Sequence, residues 1–233
     1  MIMEVTYMKN FSKYFDHTLL KPDTSSADID RLCEEAAEHG FASVCVNGCR
    51  TAHAYEKLKN TDVKVATVVG FPLGAMSAAI KAAETRQALA DGASEIDMVI
   101  NIGAVKDGNW SYVREEIASL ADICHSVNIS GSQAVLKVIL ETCLLTDDDI
   151  MNLCEIAEEA GADFVKTSTG FSTGGATIHH VRLMKECVGS RLGVKASGGI
   201  RTLEDAEAFI NAGADRLGCS ASVSIMKEYY SNR

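Results

Sequence analysis

Residues 202–220 read TLEDAEAFINAGADRLGCS and contain the unit that decides the fold. Thr202 can cap a helix, because its side-chain oxygen can accept the backbone N–H three residues on, where Asp205 stands. Gly213 can end that helix, and DRLGCS then has the length and composition of a strand. The apolar stripe of the helix consists of Leu203, Ala206, Phe209 and Ile210. The stretch therefore predicts a helix that leads directly into a buried strand.

The same pattern of helix, glycine and strand recurs earlier in the chain. Residues 146–163, TDDDIMNLCEIAEEAGAD, begin at the candidate cap Thr146 and reach Gly161. A further copy, SSADIDRLCEEAAEHG, ends at Gly40. The second stripe consists of Ile150, Leu153, Cys154 and Ala157. We interpret this as repetition of a structural unit inside one domain, not of separately folding domains.

Eight apolar runs of strand length alternate with helical stretches, which is typical of βα units and a parallel sheet. We therefore expect a single α/β domain over residues 1–233, folded as one closed (β/α)8 TIM barrel. An open doubly wound sheet is the alternative, but the glycine-rich dinucleotide turn typical of such sheets is absent. The strand candidates are FDHTLL (15–20), ASVCVN (42–47), VKVATVVG (63–70), EIDMVIN (95–101), AVLKVIL (134–140), DFVKTS (163–168), GVKASG (193–198) and DRLGCS (215–220).

The composition of the chain limits the kinds of molecule that it is expected to bind. The net charge of −10 disfavours nucleic acid and anionic membranes, so a phosphate group would need a local site. The N-terminal stretch MIMEVTYMKNFSKYFD lacks an apolar leader core, and no apolar run is long enough to span a membrane, so we expect a cytoplasmic protein. Eight cysteines spaced singly predict free thiols. No metal site is expected, because CxxC pairs are absent and the adjacent His179 and His180 should point in different directions.

Four successive strand candidates carry a charged residue within an otherwise apolar or small-residue run: Asp97, Lys137, Lys166 and Lys195. Such residues are almost never fully buried without partners. In a barrel, neighbouring strands could bring them together towards the C-terminal face, where active sites lie. One interpretation is purely structural: the four side chains form a salt-bridged network that fills the interior of the barrel. Three lysines against one carboxylate, however, leave an excess of positive charge, which favours a chemical role.

Excess positive charge can make a lysine amine reactive. To be neutral near pH 7, a lysine must have its pKa lowered by roughly 3.4 units, which corresponds to roughly 4.6 kcal/mol. A second ammonium about 6 Å away contributes roughly 2.8 kcal/mol at an effective dielectric constant of about 20. Desolvation can supply the remainder. The pattern thus suits a Schiff-base lysine activated by a second lysine, with Asp97 available for proton transfer.

Two small-residue loops follow the last two strand candidates. They read SGGIR (197–201) and GCSAS (218–222), and the second leads into the final helix. In barrels, these positions commonly bind phosphate through backbone N–H groups and a helix N-terminus. We therefore predict a phosphate site at Gly198, Gly199, Gly218 and Ser220.

The chain resembles the deoxyribose-phosphate aldolase family of class I, Schiff-base aldolases along nearly its whole length. The segments VKTSTGF (165–171) and VKASGGIRT (194–202) together are the most specific part of the resemblance. The other similar segments are FDHTLLKPDTS, ASVCVN, VVGFPLGAM, EIDMVINIGAVKDGNW, LKVILET and DRLGCSAS. One departure is Cys219, where the family is expected to have Thr, Ala or Ser.

The resemblance implies that Lys166 forms a Schiff base with acetaldehyde, while Asp97 and Lys195 handle protons and Lys137 supports them. The implied reaction is reversible cleavage of 2-deoxy-D-ribose 5-phosphate to acetaldehyde and D-glyceraldehyde 3-phosphate in deoxyribonucleotide catabolism, with no metal or organic cofactor and often as a homodimer. Three alternatives stay open: another lysine-dependent phosphosugar aldolase, a barrel isomerase that forms no imine, and a binding protein, which would have no need for Lys166 and Lys195 together.

Overall fold

The structure, a computed structural model, describes residues 10–129 and 131–232. Eight parallel strands close into a barrel in which each strand pairs with the next along the chain and the last pairs with the first. All eight strand candidates are therefore confirmed, as is the TIM-barrel fold. The part of the N-terminal stretch that precedes residue 10 lies outside the described residues. The barrel strands are β1 (Phe15–Leu19), β2 (Ser43–Val46), β3 (Lys64–Val69), β4 (Glu95–Val99), β7 (Val135–Ile139), β8 (Phe164–Lys166), β9 (Gly193–Ser197) and β10 (Arg216–Cys219).

The two remaining strands form a small antiparallel hairpin that the sequence analysis did not predict. β5 (Asn128–Ile129) pairs with β6 (Ser132–Gln133) just before β7. Each of the two strands is only two residues long, which is too short for the alternating pattern that marks a strand in sequence. The hairpin lies outside the barrel sheet.

Helices cover the outside of the barrel, and their ends follow from local sequence. Capping boxes begin α6 at Thr146 and α8 at Thr202, as predicted, and a further capping box begins α1 at Ser25. Both predicted stripes are buried except for Ile210, which is half-buried. The helices are α1 (Ser26–His39), α2 (Thr51–Leu58), α3 (Ala78–Ala90), α4 (Ile102–Lys106), α5 (Trp110–His125), α6 (Asp147–Glu159), α7 (Ile178–Val188), α8 (Leu203–Asn211) and α9 (Ser222–Ser231). Within the described ranges, none of these helices is long and apolar enough to cross a membrane.

Glycines end all three repeated helices as expected, and α1 has Gly40, with a φ of 64°, as its C-cap. α6 and α8 end just before Gly161 and Gly213, whose φ angles are 81° and 109°. That backbone region is open to glycine and costly for most other residues, so the chain can turn sharply from helix to strand at these points. The repeated turns deliver each strand to the barrel with its C-terminal end on the same face.

Candidate active site

Asp97 lies at the centre of a layer of charged side chains inside the barrel. Its Oδ1 accepts a hydrogen bond from Lys137 Nζ at 2.8 Å. Its Oδ2 accepts from both Lys166 Nζ and Lys195 Nζ, each at 2.7 Å. The parallel register explains why these four side chains come together, because Asp97 is opposite Lys137 and Lys166 is opposite Lys195. The structure thus brings together all four charged residues that the strand candidates predicted.

Three further charged side chains complete the layer, and the sequence analysis missed them. Asp16 accepts from Lys195 and from Arg216 in very short contacts. Glu95 contacts Lys137 Nζ at 2.5 Å and Arg216 at 3.0 Å. The signal was available, because each of the three is a charge inside a strand candidate.

The expected excess of positive charge is therefore smaller than the sequence analysis assumed. The layer holds three carboxylates, Asp16, Glu95 and Asp97, and four cationic side chains, Lys137, Lys166, Lys195 and Arg216. If all are ionised, the layer carries one surplus positive charge and not two. Because this surplus is small, the position of each amine relative to the carboxylates matters more than the total charge.

Lys166 differs from the other two lysines of the layer in its access to solvent. It lines a cavity of about 320 Å³ at the C-terminal face of the barrel, and its side chain is 4 % exposed. Lys137 and Lys195 are fully buried and do not line this cavity. Of the amines that touch Asp97, only that of Lys166 can therefore meet a ligand in the cavity directly.

The environments of the two lysines move their pKa values in opposite directions. Burial lowers the pKa of Lys166, and the charge of Lys195 adds to this against the opposing pull of Asp97. Burial also opposes the charge on Lys195, but Asp16 and Asp97 outweigh it and raise its pKa. The pKa of Asp97 lies well below its usual range, since three ammonium groups outweigh its burial. The amine of Lys166 therefore loses its proton more readily than that of Lys195, and Asp97 stays ionised between them.

All four residues predicted to bind phosphate line the same cavity as Lys166: Gly198, Gly199, Gly218 and Ser220. Gly199 has a φ of 89°, and a Cβ added there would meet open space. A Cβ added at Gly218 would lie 3.0 Å from Lys195 Cε, so glycine lets this strand end approach the charged layer closely. The N-terminus of α9 follows at Ser222 without a side-chain cap.

Two cationic residues that the sequence analysis did not select, Lys21 and Arg201, also line the cavity. They lie in the loops after β1 and β9 and supply positive charge beside the glycines, where an anionic group would be attracted. Cys219 lines the cavity as well, and its Sγ lies 3.4 Å from Ser222 Oγ. The departure from the family pattern therefore falls within the predicted phosphate loop.

One group in the described part of the chain could hold a metal ion, and it lies away from this cavity. His179 Nε2 is 2.7 Å from Asp147 Oδ2, and His180 Nε2 is 3.9 Å from Oδ1 of the same carboxylate. The expectation that the adjacent histidines point in different directions is therefore wrong. The first turn of α7 packs beside the start of α6, so both rings reach Asp147 from one helix end. The group shares no residue with the cavity lining.

The chain belongs to the DeoC/LacD family of aldolases, whose family model matches residues 11–226. It is 53% identical to a deoxyribose-phosphate aldolase of Caldanaerobacter subterraneus, over 98% of this chain and 97% of that protein. It is 56% identical to the deoxyribose-phosphate aldolase of Streptococcus equi subsp. zooepidemicus, over 96% and 98% of the two chains.

Solved structures agree with this membership. An aldolase named QR15 superimposes with a TM-score of 0.88 at 41% identity, covering 97% of this chain and 98% of that one. The deoxyribose phosphate aldolase of Aeropyrum pernix, described as a tetramer, gives 0.85 at 33% identity, with 96% and 92% covered. The fold, the family and the lyase class that the sequence analysis predicted are confirmed.

Proposed function

We propose that this aldolase cleaves 2-deoxy-D-ribose 5-phosphate reversibly to acetaldehyde and D-glyceraldehyde 3-phosphate through a Schiff base on Lys166. The observation that carries the proposal is one cavity lined both by the amine of Lys166 and by the four predicted phosphate-binding residues. A substrate with a carbonyl at one end and a phosphate at the other fits this arrangement. The relatives named deoxyribose-phosphate aldolase support the choice of sugar.

The chemistry follows from the charged layer. The neutral amine of Lys166 attacks C1 of the open-chain sugar, and loss of water gives an iminium ion. Removal of the proton from the C3 hydroxyl then lets the C2–C3 bond break, so C3 becomes the aldehyde of glyceraldehyde 3-phosphate. The electron pair of the broken bond passes into the iminium and leaves an enamine on Lys166. Protonation at C2 and hydrolysis release acetaldehyde, and Asp97 and Lys195 hold the protons that these steps exchange.

Phosphate binding orients the substrate for this reaction. Backbone N–H groups of the loops after β9 and β10, together with Lys21 and Arg201, would hold the anion at the edge of the cavity. Remote binding of this kind places the reacting carbonyl against the amine and lowers the entropic part of the barrier. No step requires a metal ion or an organic cofactor, so we expect exhaustive chelation to leave turnover intact.

The direct test is the reaction itself. Purified protein is incubated with 2-deoxy-D-ribose 5-phosphate, and both aldehydes are measured. Lys166→Met should lower kcat by at least about a thousandfold, whereas Lys106→Met, at an exposed ion pair outside the cavity, should not. Sugar isomerised without cleavage would instead identify a barrel isomerase, and cleavage of only a different phosphosugar would identify another lysine aldolase.

We also propose that residues 1–233 form one domain and that the protein is a cytoplasmic homodimer. Its net charge of −10 disfavours nucleic acid and anionic membranes as partners. The tetramer described for the Aeropyrum pernix enzyme is a property of that protein. Light scattering across a range of concentrations tests the dimer, because a constant mass of twice the monomer is expected.

A further inference from the structure

Glu141 is a buried carboxylate with an unusual backbone. It lies just after β7, its residue is 2% exposed, and its φ and ψ are both 60°. This left-handed conformation is uncommon outside glycine and costs on the order of 1 kcal/mol. Within residues 10–129 and 131–232, no cationic nitrogen lies within ion-pair distance of its carboxylate, unlike Asp16, Glu95 and Asp97 in the charged layer. A strained backbone and a buried carboxyl group without a cationic partner together point to a role at the site.

The main partner of Glu141 is Thr169, which lies in the loop after β8; Cys143 Sγ also lies 3.9 Å from Glu141 Oε1. Glu141 Oε1 accepts the backbone N–H of Thr169 at 3.2 Å, and Oε2 accepts the hydroxyl of the same residue in a very short hydrogen bond. The hydroxyl oxygen in turn accepts the N–H of Phe171 at 3.1 Å. Both Thr169 and Phe171 line the cavity beside Lys166. Glu141 therefore holds the wall of the cavity without lining the cavity itself.

The donor and acceptor capacity of the Thr169 hydroxyl determines which hydrogen bond it can make with a ligand. A threonine hydroxyl has one proton to donate and two lone pairs to accept with. At Thr169 the proton is committed to Glu141, and one lone pair receives Phe171 N–H. The capacity that remains is a single lone pair, which can only accept. The carboxylate of Glu141 therefore leaves the Thr169 hydroxyl able to accept a hydrogen bond from a ligand but not to donate one.

We propose that Glu141 is a positioning residue that makes the Thr169 hydroxyl an obligate acceptor and thereby selects a substrate hydroxyl. The inference rests on the proposed function and adds a specificity element to it. In the direction of addition to acetaldehyde, the carbonyl oxygen of D-glyceraldehyde 3-phosphate only accepts, and its phosphate dianion only accepts. The hydroxyl on C2 of that aldehyde is its one donor. Thr169 therefore recognises this hydroxyl.

The test uses a substitution that replaces a hydrogen-bond acceptor at position 141 with a donor. In Glu141→Gln the amide oxygen can keep the Thr169 N–H bond, while the amide NH2 now donates to the Thr169 hydroxyl and frees its proton for the cavity. Two acceptor aldehydes are compared, D-glyceraldehyde 3-phosphate and its 2-fluoro analogue, which can accept but cannot donate at C2. The ratio of kcat/KM for the hydroxyl over the fluoro acceptor should fall about tenfold in Glu141→Gln, as expected for losing a hydrogen bond of fixed direction. The intrinsic reactivity of each aldehyde cancels between the two proteins.

Two controls separate positioning from a general loss of structure. Glu84→Gln changes another carboxylate that accepts a loop N–H, from Gly70 at 2.8 Å, but neither residue lines the cavity, so the ratio should not change. In a Thr169→Val background, the further change Glu141→Gln should leave the ratio unaltered, because Glu141 acts through the hydroxyl that is then missing.

The outcomes are distinct. Equal loss on both aldehydes, or an unchanged ratio in Glu141→Gln, would overturn the inference while leaving the proposed function intact. Equal effects of Glu141→Gln with and without the Thr169 hydroxyl would also overturn it. If the unmodified protein turns over neither aldehyde with acetaldehyde, the proposed function fails, and the inference fails with it.

Discussion

At the scale of single residues, one carboxylate oxygen of Asp97 separates the tasks of two lysines. Lys166 and Lys195 both donate to Oδ2 at 2.7 Å, yet their pKa values move apart. Burial dominates for Lys166, which shares Asp97 with two other ammonium groups. Lys195 has a second carboxylate, Asp16, in close contact. In the proposed reaction, Lys166 would act as the nucleophile and Lys195 beside it as a proton donor, which are the two groups that imine chemistry needs.

Lys195→Met tests this coupling. The substitution keeps much of the side-chain volume and removes the charge that helps to lower the pKa of Lys166. The pH midpoint for trapping an acetaldehyde imine with borohydride should move to higher pH, by about 2 pH units at an effective dielectric of about 20, because two amines that each lie 2.7 Å from Asp97 Oδ2 are at most about 5.4 Å apart. Because the two lysines titrate as a coupled pair, the measured quantity is the macroscopic midpoint.

Turnover should fall further than trapping in the same variant, since alkaline pH restores a free amine but not a missing proton donor. Lys106→Met serves as the control, because Lys106 is exposed and lies outside the cavity. A midpoint that stays at its original value would mean that desolvation alone makes Lys166 reactive.

At the scale of elements, the strands carry the charged side chains and the loops that follow them carry the glycines. The charged layer stands on β1, β4, β7, β8, β9 and β10, whose rigid backbones hold each side chain in register. The loops after β9 and β10 carry the small residues that an anion must approach. The proposed function would thus use rigid strands for the chemistry and the loops for orienting the substrate, on the same face of the barrel.

Gly199→Val tests the orienting loop. A branched side chain at a φ of 89° would strain the loop and cover the backbone that faces the cavity. We expect the KM for 2-deoxy-D-ribose 5-phosphate to rise at least about tenfold, while cleavage of unphosphorylated deoxyribose changes much less. Gly108→Val is a matched control, because Gly108 also has a positive φ, 67°, with open space around it, and it lies outside the cavity lining. Equal losses on both sugars would assign the loop to folding or to the reacting centre.

At the scale of the whole molecule, closure of the barrel determines which charged side chains come into contact. The alternation of strands and helices predicted the fold, and the lysines in successive strands predicted the centre of the site. The charges of Asp16 and Arg216 were visible inside strand candidates, but their contact could not be predicted, because they are 200 residues apart and become neighbours only when β1 pairs with β10. Glu141 could not be predicted either, since its significance lies in a left-handed backbone and in its contact with another loop.

The charged layer should make stability depend on acidity. Arg216, Lys195 and Lys137 outweigh burial and lower the pKa of Asp16 in the folded state. The unfolded state therefore binds more protons in acid, so the stabilisation is present above the unfolded-state pKa of about 3.9 and is lost as the pH falls. Asp16→Asn should lower the free energy of unfolding near pH 7 by about 3–5 kcal/mol, because it leaves buried cations uncompensated.

The same variant should also show a shallower loss of stability between about pH 5 and pH 3 than the unmodified protein. Denaturant titrations at a series of pH values measure both effects. Asp148→Asn, at an exposed position on α6, should change neither. Parallel curves for the unmodified protein and Asp16→Asn would show that the charged layer does not govern acid stability.

Chemical trapping shows directly whether Lys166 carries the imine. The protein is treated with acetaldehyde and borohydride, digested, and its modified lysine located by mass spectrometry. We expect an ethyl group on Lys166, since its amine has a lowered pKa and, of the three that touch Asp97, is the one that lines the cavity. An ethyl group found instead on Lys137 or Lys195, or protein left unmodified while it still cleaves the sugar, would contradict this expectation.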